Sequence, residues 1–289
     1  MTKVAVLTIV HGRHDHLAAM LDGCARSLCA PDLVVVVAMD DPAVETQVRH
    51  APLPTRVRRI ERAPGGLPLA AARNLAARTA LEQGSDVLVF LDVDCIPGPS
   101  LIGRYRDVVE AETAQQPVVV AGEVGYLPPT TWGYRPEELA QLGRPHPARP
   151  VLTVDEVRVA DDLDLFWSLS FAMSARSWRT VGGFDEQYVG YGGEDTDFAM
   201  RIGAAGGSMV WAGGATAYHQ HHPSENPPVG HLHDIVRNAH IFRRSWGRWP
   251  MVGWLEEFAR RGLVRFDGDT LEELRVTQPG AAATGNREP

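Results

Sequence analysis

Two groups of carboxylates stand out by residue type and spacing. Asp92 and Asp94 flank Val93 directly after the apolar run Val87-Leu88-Val89-Phe90-Leu91. In an open α/β sheet, ligands bind beyond the carboxyl ends of the strands. Charged residues there face a cleft, because the strand before them is covered on both sides. Two carboxylates at one strand end repel each other. A divalent cation removes that cost, and hard oxygen donors suit Mg²⁺ or Mn²⁺ shared with phosphate oxygens. The spacing therefore points to a metal–diphosphate site. A polar turn capped by Asp94 satisfies it equally, and Pro97 and Pro99 suit that turn.

The second group lies in Gly182-Gly183-Phe184-Asp185-Glu186, followed by Tyr191-Gly192-Gly193-Glu194-Asp195-Thr196-Asp197 and, further on, Arg201. Gly192-Gly193 permits a sharp turn and the close approach of a ligand. Glu194 and Asp195 then open a predicted helix, whose dipole and free N–H groups favour ionised carboxylates. A carboxylate held ionised beside a cleft can take a proton from an incoming hydroxyl. Asp197 and Arg201 are spaced to pair along that helix. Phe198 and Ile202 form its buried stripe. Taken singly, the acids serve as helix caps; the complete string is the specific feature.

Such groups need a scaffold, and the chain supplies one. Val4–Val10, Leu33–Met39 and Asp86–Leu91 are apolar, β-branched runs expected as buried strands, with shorter strands around Arg56–Ile60 and Val118–Val120. Between them lie helical stripes over His16–Cys29 and Leu101–Glu112, and an Ala-rich helix opened by Gly65-Gly66-Leu67-Pro68 and stopped by Gly84. This alternation predicts an α/β fold with a mostly parallel central sheet and helices on both faces. Residues 123–165 break the rhythm with Pro128, Pro129, Pro136, Pro145, Pro147 and Pro150 beside Tyr126, Trp132 and Tyr134. A surface loop able to cover a cleft is expected there. Leu165–Met173 and Ser208–Trp211 read as strands, and Ala175–Val181, Glu194–Ala204 and Leu232–Trp246 as helices. Residues 278–289 read as a disordered tail.

The combination resembles GT-A glycosyltransferases. The upstream Asp92-Val93-Asp94 matches their D-x-D. Gly-Gly-Phe-Asp-Glu…Tyr-Gly-Gly-Glu-Asp-Thr-Asp…Arg matches the galactosyltransferase-type C-terminal region. That region is shared by chondroitin-polymerase-like and polypeptide GalNAc-transferase-like enzymes on a family 2-like nucleotide half. Tyr191 stands where those families usually carry Trp and keeps an aromatic platform. The likeness covers about residues 3–245.

The resemblance implies a Rossmann-like GT-A fold. Residues 1–122 would be the nucleotide-sugar half and 123–250 the acceptor and catalytic half. A C-terminal helical extension would follow over 251–277. The implied activity is metal-dependent, inverting transfer of a hexose or N-acetylhexosamine from a UDP-sugar to an acceptor hydroxyl, with Mn²⁺ or Mg²⁺. Asp94 would ligate the metal and Asp92 would assist it, with Val93 between them in the donor site. Asp195 would be the base, with Glu194 holding the acceptor. Tyr191, Gly192, Gly193 and Trp132 would border the acceptor. A late histidine would complete the metal shell, from Tyr218-His219-Gln220-His221-His222. His219 and His221 share one side if that segment is extended. For the nucleotide, the likeness points to Thr8, Val10 and Arg13 at the end of the first strand, Asp40 at the end of the second, and Arg73 and Asn74 on the Ala-rich helix. The fork of Arg73 suits Asp92 or a phosphate.

Composition narrows the alternatives. With 289 residues, 44% hydrophobic and 22% charged, the chain is long enough to bury a core without a metal or disulfide staple. The net charge of −8, from 28 basic and 36 acidic residues, argues against nucleic acid as a bulk electrostatic partner. Three scattered cysteines fit a reducing, cytoplasmic setting. No transmembrane segment is expected, since no apolar run reaches roughly 18 residues. The basic helix with Arg237, Arg243 and Arg244 leaves open a peripheral position at the inner membrane face. The acceptor classes left open are saccharides, lipid-linked saccharides and small molecules, and oligomeric state is open too. Two other readings compete. A sugar-1-phosphate nucleotidyltransferase would need a Gly-rich, Lys- or Arg-bearing loop after the first strand, where His11-Gly12-Arg13 stands. A non-catalytic nucleotide-sugar-binding module would not need both groups of acids.

Overall fold

A computed structural model describes residues 1–49, 51–112, 115–223 and 225–274. The first half follows from its apolar runs. Strands β1 (Val4–Val10), β2 (Leu33–Met39), β3 (Thr55–Ile60) and β4 (Val87–Leu91) pair in parallel in the order β3-β2-β1-β4. Every residue of β1, β2 and β4 is buried, as a sheet covered on both faces requires. At the edge, β3 alternates and carries Arg56, Arg58 and Arg59 on exposed positions. Charge on an edge strand opposes pairing with another chain.

Helix α1 (His14–Ala25) follows β1, and α2 (Leu69–Glu82) precedes β4. In α2 the alanines Ala70, Ala72, Ala76, Ala77 and Ala80 are fully buried. Their small side chains let the helix lie close to the sheet and carry Arg73 and Asn74 into the interface.

The sheet continues through short β5 (Cys95–Pro97), helix α3 (Leu101–Ala111), β6 (Val118–Tyr126), β7 (Ser170–Ser174), helices α4 (Ala175–Val181) and α5 (Glu194–Ala204), and β8 (Ser208–His219). The order runs on from β4 as β7-β6-β8-β5. Strands β6 and β8 are parallel to each other, and β7 runs antiparallel between β4 and β6. The central sheet is thus mostly parallel, as expected. Strand β8 is longer than its apolar core, Ser208–Trp211, suggested. It continues past a register shift between Ala212 and Ala217 to pair antiparallel with β5, with His219 opposite Cys95.

The apolar stretch expected as a strand over Leu165–Met173 is sheet only from Ser170. Before it, Leu163–Leu165 is a 3₁₀ turn and Phe166 is buried. Its apolar character serves an aromatic core. Phe90 stacks on Phe171 at 4.4 Å, Phe184 stacks on Phe198 at 4.2 Å, and Phe166 meets Phe171 edge-on at 5.0 Å. Such pairs add about 0.5–1.5 kcal/mol beyond their burial.

Helices α6 (Leu232–Trp246) and α7 (Val252–Arg260) share a smaller core with Val264 and Leu271. The segment expected as a helical extension is helix α7 followed by a hairpin, Val264–Phe266 with Leu271–Glu273. The expected tail at 278–289 lies outside the described residues. The basic helix turns part of its charge inward. Arg237 donates to Gly65 O and Val189 O, and Arg243 lies over Trp249 at 5.1 Å.

One joint holds the two halves together. Asn74 Nδ2 donates to Phe184 O and to Glu186 Oε1, both at 2.9 Å, and Asn74 Oδ1 accepts from Phe184 N at 2.9 Å. Gly183 turns there at φ 80°, and a Cβ on it would lie 2.6 Å from Asn74 Oδ1. Gly183→Ala is expected to cost about 1–3 kcal/mol, from the left-handed backbone and the displaced amide together. A denaturation midpoint unchanged from the parent would contradict this.

Candidate active site

The crevice is built where β4 ends and α5 begins. At the end of β4, Asp94 is buried and Asp92 is partly so. At the start of α5, Gly192 (φ 94°) and Gly193 (φ 91°) adopt left-handed turns that deliver Glu194 and Asp195 into the first helical turn. Arg73, buried on α2, joins the two groups. One guanidinium nitrogen lies 3.1 Å from Asp92 Oδ1 and another 3.2 Å from Glu194 Oε1. A planar fork fixes both carboxylates at once, which a point charge would not. The Tyr191 phenol feels the charges of Asp195, Glu194, Asp92 and Asp94, and burial with these four acids pushes its ionisation up.

Burial dominates the acids' electrostatics. It pushes Glu194 up to about 7, with the charge of Asp195 adding to it and Arg73 opposing. Burial raises Asp92 to about 6 against the pull of Arg73, and raises Asp195 although Thr196 and Arg73 oppose the shift. Asp94 goes the other way. Burial alone would raise it, but His222, His219 and Arg13 hold it at about 2.

The partners of Asp94 form a compact donor set. His219 Nε2 lies 3.6 Å from Asp94 Oδ1, and His222 Nε2 lies 3.4 Å from Asp94 Oδ2. One ligand atom from each of the three residues falls within 4.8 Å of the others. One carboxylate oxygen and two imidazole nitrogens are a donor set able to hold a divalent ion such as Mn²⁺. Arg13, at the left-handed residue before α1, also contacts Asp94.

Of the three histidines, the fold brings His219 and His222 to Asp94 and not His221. His221 is exposed, and its backbone N–H donates to Tyr134 Oη at 3.0 Å. Strand β8 ends at His219, so alternation stops there. Gln220 is buried; its backbone N–H donates to Asp94 O at 2.7 Å and its side chain to His16 O at 3.1 Å. The chain then bends and returns His222, not His221, to Asp94.

Other candidates fall into place unevenly. Asn74 engages its amide with Phe184 and Glu186, so it staples the two halves. Val10 and Val93 are buried in the apolar core, which leaves their backbone as the part able to face a ligand. Thr8 is buried with its Oγ1 unpartnered among the described residues. Asp40 lies at the end of β2 with φ 48°, 3.2 Å from Arg62 Nε. Trp132 is 95% exposed at a turn tip, with no ring contact to the acids among the described residues. Asp197 does not pair with Arg201. It accepts instead from Trp246 Nε1 at 2.8 Å and from Tyr188 Oη at 3.3 Å, because burial against α6 offers it neutral donors.

Sequence reasoning missed Arg149, Trp167 and Trp211. The guanidinium of Arg149 lies over the rings of Trp167 at 4.5 Å and Trp211 at 4.9 Å. No periodicity marks an arginine inside a proline-rich loop.

Comparison with known proteins bears on the fold and the class of protein. A family described as the N-terminal domain of galactosyltransferase matches residues 148–223, the stretch that holds Glu194, Asp195 and His219. Validoxylamine A glucosyltransferase of Streptomyces hygroscopicus subsp. limoneus is 29% identical over 312 residues, which covers 99% of this chain and 66% of that protein. Chondroitin synthase of Escherichia coli is 25% identical over 248 residues, covering 77% of this chain and 35% of that protein. The chain therefore spans about two thirds of the first relative's length and one third of the second's. Among solved structures, GalNAc-T7 with UDP, GalNAc and Mn²⁺ superposes with a TM-score of 0.54 at 16% identity, over 76% of this chain and 44% of that one. Fold, family match and relatives together support a GT-A glycosyltransferase. No helix among the described residues is long and apolar enough to cross a membrane.

Proposed function

We propose that the chain moves a hexose or N-acetylhexosamine from a UDP-sugar to an acceptor hydroxyl, with Mn²⁺ or Mg²⁺ and with inversion at the anomeric carbon. The observation that carries this reading is the Arg73 fork, which puts the strand-end acids and the helix-start acids on one crevice beside Asp94, His219 and His222.

Asp94, His219 and His222 would hold the cation, which when bound stabilises the departing diphosphate as a Lewis acid. Arg13 and Asp40 border the nucleotide end. Glu194 is held through Oε1, while its buried Oε2 has no partner among the described residues. That leaves Oε2 to receive a sugar or acceptor hydroxyl. Asp195 takes the acceptor proton, which frees the oxygen to attack from the face opposite the leaving group. Tyr191, 40% exposed and stacked on His231 at 4.7 Å, offers a ring at the acceptor side. The name of the relative matched along nearly the whole chain supports glucose as the first donor sugar to test.

Incubation with UDP- and GDP-sugars plus Mn²⁺ tests the reading. Cation-dependent release of UDP is expected. Release of pyrophosphate from UTP and a sugar-1-phosphate in a parallel incubation, or sugar-nucleotide binding without turnover, would overturn it.

A pH profile gives a second check. Asp195 works as a base only when ionised, and burial favours its neutral form, so more alkaline conditions are needed to charge it. The acid limb of kcat/KM is therefore expected above the ordinary aspartate value of about 3.9, with activity lost as pH falls through that limb. An acid limb at the ordinary value would remove Asp195 from this role.

A further inference from the structure

Arg149 is a buried cation whose side chain has no hydrogen-bond acceptor among the described residues. Its side chain is 9% exposed, and Nε and both terminal nitrogens lack partners among the described residues. Its guanidinium carbon lies over the rings of Trp167 and Trp211, 4.5 Å and 4.9 Å from their centroids. Indole faces attract a cation but leave the N–H edge of the fork unsatisfied. An unpaired buried charge is among the costliest features a fold can carry. Satisfied groups nearby do not help it: Tyr105 Oη is shared with Ser170 at 2.8 Å and accepts from Gly122 N.

The location points to the substrate. Trp167 meets His146 edge-on at 4.7 Å, and His146 in turn lies 6.1 Å from the ring of Tyr126. Cys95 adjoins Asp94, and Tyr126 packs on His219 at 5.1 Å. A run of ring contacts therefore links Arg149 to the donor set at Asp94. It is carried on coil between two short strands, Arg144–Pro145 paired to β6 and Val157–Val159 paired to β8.

We propose that Arg149 is the oxyanion-recognising side chain of this crevice, its fork receiving either a phosphate oxygen or a sugar carboxylate of the donor. The inference rests on the nucleotide-sugar reading above, and its carboxylate arm would replace the hexose named there by a hexuronate. Both anions match a planar guanidinium in two parallel hydrogen bonds. The indoles hold that plane in one orientation and keep water from competing. Because its nitrogens are closed off in the ligand-free fold, admission of the anion requires the coil bearing Arg149 to shift.

The test compares wild type with Arg149→Met and Arg149→Lys by calorimetry in Mn²⁺, using inorganic pyrophosphate, UDP, UDP-glucose and UDP-glucuronic acid. Arg149→Met is expected to weaken at least one of these by about 10–100-fold, the worth of hydrogen bonds to a charged group. Arg149→Lys, which keeps the charge and loses the fork, should fall between. Equal losses for all four assign the diphosphate; a loss confined to UDP-glucuronic acid assigns the sugar carboxylate. Removing an unpaired buried charge should leave the thermal midpoint of ligand-free Arg149→Met at or above wild type. Affinities all within twofold of wild type overturn the proposal, whatever the midpoint does. Wild type that binds none of the four overturns it as well. Wild type that binds pyrophosphate but no nucleotide defeats the nucleotide-sugar reading alone, and the pyrophosphate arm then decides Arg149.

Discussion

Asp195→Asn is expected to lower sugar transfer by about 10²–10⁴-fold while donor binding stays near wild type, the range for loss of a positioned general base. The substitution is close to isosteric. An asparagine Oδ1 can still accept from Thr196 N, which now lies 2.7 Å from Asp195 Oδ1, so the first turn of α5 keeps its geometry. What is lost is the ability to take a proton. Asp195 is not among the residues grouped around Asp94, so the donor end of the crevice is left alone. Single-turnover transfer and calorimetry with UDP, run on the same preparation, separate the two effects. Turnover near wild type would take Asp195 out of the reaction. Weakened UDP binding would show that it acts on the donor instead.

The second large effect is at the other end. Asp94→Ala is expected to abolish the part of UDP affinity that depends on Mn²⁺. Asp94 supplies the one carboxylate between two imidazoles, and it is the group on which His219, His222 and Arg13 converge. Without it, two imidazoles remain with no carboxylate between them, beside the Arg13 guanidinium, whose charge opposes a cation. Removing Mn²⁺ with a chelator from wild type should reproduce the loss, and adding it back should restore affinity to wild type only. UDP affinity that is the same in both proteins, with and without Mn²⁺, would refute the metal assignment. His221→Ala should leave Mn²⁺-dependent binding intact, since His221 faces away, whereas His222→Ala should weaken it.

Much of the scaffold was legible because its signals are local. Strands β1, β2 and β4 are short apolar runs bounded by polar residues, and burial on both faces is what such runs require. Helices α4, α5 and α6 occupy the residues that their stripes and flanking glycines indicate, Ala175–Val181, Glu194–Ala204 and Leu232–Trp246. Where the same rules erred, they assigned one cause to a pattern with two. Leu165–Leu169 is apolar because it feeds an aromatic core, not because it pairs in a sheet. Asn74 is polar on a buried helix because it ties down Phe184, a contact 110 residues away in the chain.

The division between chain and fold is clearest in the crevice. By itself the sequence determined the chemistry on offer: acids after a β-strand, acids after a glycine pair, imidazoles near a strand end, and the α/β order that supports them. Those are consequences of residue type and short spacing. Tertiary structure alone decided which of them meet. The pairing of His219 with Cys95 selects His219 and His222 over His221. The Arg73 fork draws Asp92 and Glu194 onto one crevice, and the fold sets Arg149 over two indoles with no acceptor among the described residues. Each depends on register and packing between segments far apart in the chain. Neither hydrophobic period nor local spacing encodes such contacts, because they arise only when the layers close on one another.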